Sequence, residues 1–327
     1  MSPLPPFAPR GLLRNASLQS FLASWKFRNR LRGDHPMQQA AVSQLLDCGD
    51  GVRLTGVHSP QPAGRRPRAL AILFHGWEGS DRSAYLYSMA CSLFDAGYSV
   101  FRLNLRDHAD THHLNEEMFH SARMDEVYGA MRSALALDEA ERHVAIGFSL
   151  GGNFALRVGL RAPDDLLPAM TVGVCPAINP RATMQAIDDA SPLFRRYFMS
   201  KWQDSLQSKA RAWPQRYDFG DIAQIRSFMD ITERFVIDYT EFETLSAYFD
   251  DYDLRAELRN TPRSPLTIVT AQDDPVIPFE DFVGLGEASG VQLIAPSHGG
   301  HCGFIDDWRL RSWIDTCVLA LLDKALD

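Results

Sequence analysis

Nowhere in this 327-residue chain does an apolar run approach the roughly 18 residues that a membrane-spanning helix needs, so no transmembrane segment is expected. The N-terminus, Met1-Ser2-Pro3-Leu4-Pro5-Pro6, lacks a basic stretch followed by an apolar one, and no secretory leader is expected. Cysteine is sparse. Cys48, Cys91, Cys175, Cys302 and Cys317 are scattered, odd in number and never in C-x-x-C spacing, which fits reduced thiols in a cytoplasmic protein. Basic residues number 33 against 41 acidic ones, and a net charge of −8 argues against non-specific nucleic-acid binding. There is no G-x-x-x-x-G-K-S/T, H-E-x-x-H, helix-opening G-x-G-x-x-G or EF-hand loop, so neither cofactor nor metal is expected. Internal repeats and low-complexity tracts are also absent.

What remains is an ordinary globular composition, long enough for one large α/β domain with an insertion or for two small domains. Strand-like runs at 51–58, 69–74, 98–103, 143–146 and 171–174 alternate with helix-like runs at 83–96 and 121–138. Such alternation predicts a doubly wound, mostly parallel sheet with helices on both faces. From about Ala177 to Asn260 the chain turns helical, charged and aromatic, and reads as a helical cap. The sheet resumes at Leu266, and a last helix is expected over Asp306 to Leu326. The expected division is an extended or helical segment over 1–50 that packs on the core, a core over 51–176 and 261–327, and a cap over 177–260.

Between the fourth expected core strand, 143–146, and its helix stands Gly147-Phe148-Ser149-Leu150-Gly151, a G-x-S-x-G pentapeptide. A serine on a strand-to-helix turn has its hydroxyl lifted above the sheet edge, and small residues two before and two after let the backbones close up. Ser149 is therefore the candidate nucleophile. A serine hydroxyl needs a base, and the base needs an orienting acid. In this chain order the acid comes next, and Thr267-Ile268-Val269-Thr270-Ala271-Gln272-Asp273-Asp274 brings a β-branched strand to two aspartates. Asp274, four residues before Pro278, is the expected acid, with Asp273 the alternative. The glycine-rich Ser297-His298-Gly299-Gly300-His301-Cys302-Gly303 follows a further strand at 291–294. Its His301 is the expected base, and His298 is the alternative polar loop residue. Upstream, Ala69 to Phe74 ends in His75-Gly76-Trp77, where a loop can supply one oxyanion-hole N–H. Trp77 and Leu150 are the expected backbone donors.

Three other features bear on partners. Cys302 adjoins His301, but neighbours in a chain rarely face each other, so it reads as packing. His108 and His112 would share a helix face, yet no third ligand matches a zinc site, and the stretch from Asn104 to His113 reads as a polar loop shaping the pocket. The basic, aromatic stretches 18–32 and 194–202 either pack on the body with their cations reaching water or make a weak peripheral membrane contact.

With these residues in place, the chain resembles the YheT-like α/β-hydrolases, whose animal relatives are membrane-anchored abhydrolase-domain lipid esterases. Arg14 to Ser20 is similar to that family's N-P-H-L-Q-T segment, Leu103-Asn104-Leu105-Arg106 to its N-F-R-G, His120-Ser121 to its H-S, and Gly299 to Phe304 to its G-G-H-x-G-F. Phe228 to Phe249 loosely resembles its cap segment. Ala16-Ser17 replaces Pro-His, and Asp107 replaces the glycine after the arginine. The resemblance implies an α/β-hydrolase fold with Ser149, Asp274 and His301 as a triad, acting on a small-molecule carboxylic ester. It leaves acyl transfer, thioester cleavage or a non-catalytic binding role as alternatives, and the oligomeric state open.

Overall fold

The structure, a computed structural model, describes residues 6–31, 33–220, 222–285 and 290–326, so five of the six residues on which the absence of a leader was judged lie outside it. In chain order the elements are α1 (Ala16–Ser24), α2 (Phe27–Leu31), α3 (Pro36–Gln39), β1 (Val42–Asp47), β2 (Arg53–Ser59), β3 (Leu70–Phe74), α4 (Ala84–Asp95), β4 (Ser99–Asn104), α5 (Met124–Leu135), β5 (His143–Phe148) and α6 (Leu150–Arg161). They continue with β6 (Met170–Val174), α7 (Pro180–Asp189), α8 (Pro192–Ala212), α9 (Phe228–Tyr239), α10 (Leu245–Tyr252), β7 (Leu266–Val269), β8 (Gln292–Ile294) and α11 (Trp313–Leu326).

The eight strands form one sheet in the order β1-β2-β4-β3-β5-β6-β7-β8. The β1/β2 and β2/β4 pairs are antiparallel and the remaining five are parallel. Every residue of β3 to β7 is buried, as a sheet covered on both faces requires. Helix α4 covers β3 and β4 and packs on α11, while α6 covers β5 and β6. The strand order reverses at β3, with β4 on one side and β5 on the other. Loops leaving the carboxyl ends of β3 and β5 therefore diverge, and open α/β sheets have their crevice there.

Two elements depart from the sequence expectation. Strand β1 lies within the segment expected to be extended or helical. Only Leu46 of its six residues is buried, so no alternation was there to read. The last helix begins at Trp313 rather than Asp306. Residues 306–311 instead form a turn, closed by an Asp306 N–H to Arg311 carbonyl bond of 3.0 Å and by a positive φ of 59° at Leu310.

Between β6 and β7 the described residues hold α7 to α10 and no strand. Side-chain caps mark three of these helices: Asn179 before α7, Ser227 before α9 and Thr244 before α10 each accept a first-turn N–H. Their apolar faces, with Trp202, Phe228 and Tyr248, join the same continuous core as the sheet. Among the described residues no helix is long and apolar enough to cross a membrane.

Candidate active site

Ser149 sits where β5 hands over to α6, with φ 55° and ψ −122°, a conformation that side-chain-bearing residues seldom adopt. The turn is tight enough to dictate its neighbours. A Cβ on Gly147 would strike the Gly151 carbonyl, and one on Gly151 would strike the carbonyls of Phe74 and His75. The two glycines of the pentapeptide are thus where the sequence must have no side chain. The Ser149 N–H is held by the Val174 carbonyl at 2.9 Å. Below it, Asn153 donates to the carbonyls of Ala177 and Tyr252, both at 2.8 Å, tying α6 to the start and end of the insertion.

The structure brings Ser149, His301 and Asp274 together in line. The serine Oγ lies 2.9 Å from His301 Nε2, and His301 Nδ1 lies 2.9 Å from Asp274 Oδ2. The Asp274 side chain has no exposed surface, and its other oxygen accepts the N–H groups of Val276 and Ile277 at 2.8 and 3.1 Å. Burial opposes a charge on the His301 ring, but the Asp274 carboxylate outweighs it and pushes the ring up to about 9. Asp273, the alternative acid, faces elsewhere: Oδ1 accepts the Gly300 N–H at 2.8 Å, and Oδ2 pairs with His298 at 3.4 Å. The two alternatives, Asp273 and His298, thus meet each other at the base of the loop that carries His301.

The backbone N–H groups of Trp77 and Leu150 have no partner among the described residues, and both residues line the cavity that holds Ser149. Two histidines hold the Trp77 loop. His75, wholly buried, donates from Nδ1 to the Gly76 carbonyl at 2.8 Å and accepts the Leu105 N–H at Nε2, 3.1 Å away. His108 likewise donates from Nδ1 to Arg106 and accepts the Glu78 N–H at 3.1 Å. Burial pushes both rings down, to about 4 and about 3, so they stay neutral braces. The Tyr85 hydroxyl accepts the Gly76 N–H at 2.9 Å.

The polar loop expected around His108 and His112 is no helix: Asp107, Ala109 and Asp110 all take positive φ. The pair therefore shares no face, and His112 turns to Ser205 of α8 at 2.9 Å. Asp107, standing where the resembling family has glycine, keeps a φ of 59° and accepts the buried Lys209 ammonium of α8 at 2.9 Å. The substitution turns a turn residue into an anchor for the insertion.

Sequence reasoning missed the role of α1. Gln19 donates from Nε2 to the carbonyls of Leu13 and Ile305 and accepts the Ile305 N–H at 2.8 Å, while Ser20 Oγ accepts the His301 N–H, also at 2.8 Å. The N-terminal helix is bolted to the histidine loop. A Cβ on Gly300 would run into the Ala16 carbonyl, which explains the second glycine before His301. The one available signal was the likeness of Arg14 to Ser20 to a family segment.

Above Ser149 lies a cavity of about 910 Å3. Its walls come from α1, from the Trp77 loop and from α7 to α10, and they are mostly apolar and aromatic. Trp77 stacks on Phe198 with ring centres 6.2 Å apart and meets Trp202 and Phe228 edge-on, joining the loop to the insertion. Glu78 adds a polar spot, where burial pushes its carboxyl up to about 8 against the pull of Lys201.

A parallel sheet with a serine on a strained strand-to-helix turn, and a histidine and an aspartate delivered from later strand ends, defines the α/β-hydrolase class. The chain belongs to the alpha/beta hydrolase family, which matches it over residues 71–310. It is 24% identical over 325 residues to the Escherichia coli (strain K12) protein named "Putative esterase YheT", covering 95% of this chain and 91% of that one, and the resemblance to the YheT-like group is borne out. It is 23% identical over 257 residues to human "Phospholipase ABHD3", covering 75% of this chain but only 61% of that protein. Bovine "Monoacylglycerol lipase ABHD2" matches at 23% over 199 residues, 54% of this chain and 46% of that protein. Among solved structures, a Pyrococcus furiosus esterase superposes with a TM-score of 0.55 at 13% identity, over 88% of this chain and 91% of that one. A 2,6-dihydroxy-pseudo-oxynicotine hydrolase gives 0.56 at 16%, over 88% and 67%. Both bear out the fold expected from the sequence.

Proposed function

We propose that this protein is a serine carboxylesterase that cleaves a small-molecule carboxylic ester through an acyl-enzyme. The observation that carries the reading is the unbroken relay Ser149–His301–Asp274, with both bonds at 2.9 Å, on the floor of an apolar cavity. Ser149 Oγ attacks the ester carbonyl while His301 Nε2 takes its proton. The N–H groups of Trp77 and Leu150 receive the oxyanion. Collapse expels the alcohol, which takes the proton from His301, and water then releases the acid by the same path. Asp274 keeps the proton of the neutral ring on Nδ1 and stabilises the imidazolium.

Residues 177–260 act as a cap over the acyl pocket. The aromatic walls favour short- to medium-chain acyl groups, acylglycerols included, and the volume is at the upper end of the ~300–1,000 Å3 usual for small-ligand pockets. The names of the relatives support an ester substrate. The five free, buried thiols support a cytoplasmic setting. At the cavity mouth Phe21, Trp25 and Tyr197 stand exposed beside the cations Lys26 and Arg82, which supports a weak contact with an anionic lipid surface. Labelling by a fluorophosphonate probe, wild type against Ser149→Ala, followed by a p-nitrophenyl ester chain-length series, tests the reading. Labelling of the wild type alone is expected. A folded wild type that resists the probe would move the non-catalytic alternative to first place. An added alcohol acceptor that captures most of the acyl group would favour transfer over hydrolysis.

A further inference from the structure

Directly behind the proposed relay is a group of side chains that the reaction does not use. The sulfurs of Cys175 and Cys302 and a ring nitrogen of His301 all lie within 4.8 Å of one another, and among the described residues they are the one such cluster of histidine, cysteine or carboxylate groups. The sequence suggested that Cys302 would merely pack. Cys302 is indeed buried in the core, and with a φ of 59° just after His301 its thiol also lies within 4.8 Å of a ring nitrogen of that histidine. Cys175, with a φ of 43°, follows the last residue of β6 and meets it from the sheet side. The two thiols hydrogen-bond each other, and their remaining partners are backbone groups. Cys175 Sγ accepts the Cys302 N–H at 3.4 Å and reaches the Gly300 carbonyl at 3.8 Å, and Cys302 Sγ reaches the Val174 carbonyl at 3.9 Å. Cys302 and His301 both border the cavity, which gives an ion an approach.

Two thiols and an imidazole are a soft donor set. Zinc(II) binds cysteine sulfur at about 2.3 Å and histidine nitrogen at about 2.0 Å, and three protein ligands leave a fourth position open. We propose that Cys175, Cys302 and His301 form a binding site for a thiophilic metal ion, of which zinc(II) is the test case, and that occupancy takes His301 out of the relay and silences the enzyme. The step is ligand exchange without redox change. Two S–H bonds break, together with one N–H bond wherever His301 starts as the imidazolium, two metal–sulfur bonds and one metal–nitrogen bond form, and the freed protons pass to solvent. Affinity therefore rises with pH. The ion is an inhibitor here and supplies nothing to ester cleavage. The inhibition rests on His301 as the catalytic base, whereas the binding does not.

The test keeps the two apart. The full-length protein, reduced with a phosphine, is titrated with cobalt(II), whose thiolate charge-transfer and tetrahedral visible bands report the site whether or not the protein hydrolyses esters. One equivalent with two-thiolate intensity is expected, and absence of the charge-transfer band overturns the proposal. In parallel, p-nitrophenyl ester hydrolysis is titrated with zinc(II) and restored with EDTA. Cys175→Ala, which lies off the cavity wall, should keep the metal-free rate, and both Cys175→Ala and Cys302→Ala should lose zinc sensitivity by at least the roughly 10- to 100-fold that even an outer-shell change costs a metal site. Variants that stay as zinc-sensitive as the wild type would overturn the inhibitory role. Should either alanine variant fail to fold, the wild-type cobalt spectrum still decides the matter. Cobalt binding without any esterase activity would leave the site standing and remove the proposed function.

Discussion

The hydroxyl of Ser20 accepts the backbone N–H of His301 at 2.8 Å, across 281 positions of sequence. An N-terminal helix thereby holds the backbone of His301, whose ring stands 2.9 Å from Ser149. Replacing Ser20 by Ala leaves that N–H without its partner and frees the loop. A misplacement of about 1 Å near a reacting centre costs on the order of 100-fold in rate. We expect Ser20→Ala to lower kcat by about 10- to 100-fold with little change in KM, and Ser20→Thr, which keeps the acceptor, to recover most of it. Steady-state kinetics on a soluble ester check this; an unaltered kcat in Ser20→Ala would show that the loop stands without α1.

Asp274 and Asp273 are neighbours with different partners, His301 for the one and the Gly300 N–H and His298 for the other. Losing the charge of the acid in a serine relay costs about 10,000-fold in turnover, and that scale is expected for Asp274→Asn. Asp273→Asn keeps an oxygen for the Gly300 N–H and should cost less than about tenfold, whereas Asp273→Ala should fall between the two because a buried donor is left unpaired. A larger loss in Asp273→Asn than in Asp274→Asn would reverse the assignment.

As the proposed base, His301 can act only when neutral. Burial disfavours its charge, but the Asp274 carboxylate raises the ring from 6.5 to about 9. The rate should therefore climb with pH through an inflection well to the alkaline side of 6.5. Folding is linked with the opposite sense. A group whose pKa is higher folded than unfolded stabilises fully below its unfolded value, so this contribution is present below about 6.5 and lost as pH rises through about 9. Rate profiles of kcat/KM and urea unfolding over the same range test both signs. An inflection below 6 would contradict the dominance of Asp274.

The exposed rim gives a separate expectation. Phe21, Trp25 and Tyr197 are 61%, 40% and 51% exposed, with Lys26 and Arg82 beside the same opening. Each cation near an anionic bilayer is worth about 1 kcal/mol, and salt screens it. The protein should sediment weakly with phosphatidylglycerol vesicles, less so as salt rises, and the Phe21→Ser, Trp25→Ser pair should abolish this while leaving cleavage of soluble esters intact. Equal sedimentation with neutral and anionic vesicles would remove the electrostatic part.

Much of this was legible in the sequence wherever a local rule applied. Ser149 could be read because a strained turn demands glycine on both sides, and the buried parallel strands because they are short, continuous and apolar. Asp274 and His301 could be read because each ends a strand in an expected order, although the choices over Asp273 and His298 rested on pattern alone. The edge strand β1, with one buried residue of six, carried no such signal. The bracing of the site was also invisible. His75 and His108 as neutral struts, Gln19 and Ser20 as bolts on the histidine loop, and Asp107 as the anchor of Lys209 all depend on bonds between residues distant in sequence.

By itself, then, the sequence determined the class of the sheet, the order of the groups proposed to react and the sites where no side chain fits, because backbone sterics and hydrophobic periodicity act over a few residues. Only the tertiary structure decided which aspartate meets His301, where the thiols of Cys175 and Cys302 come to rest and which aromatic rings wall the cavity. Those outcomes depend on how separate segments pack, and a hydrogen bond or a sulfur–imidazole approach is won or lost over an ångström that no spacing along the chain encodes.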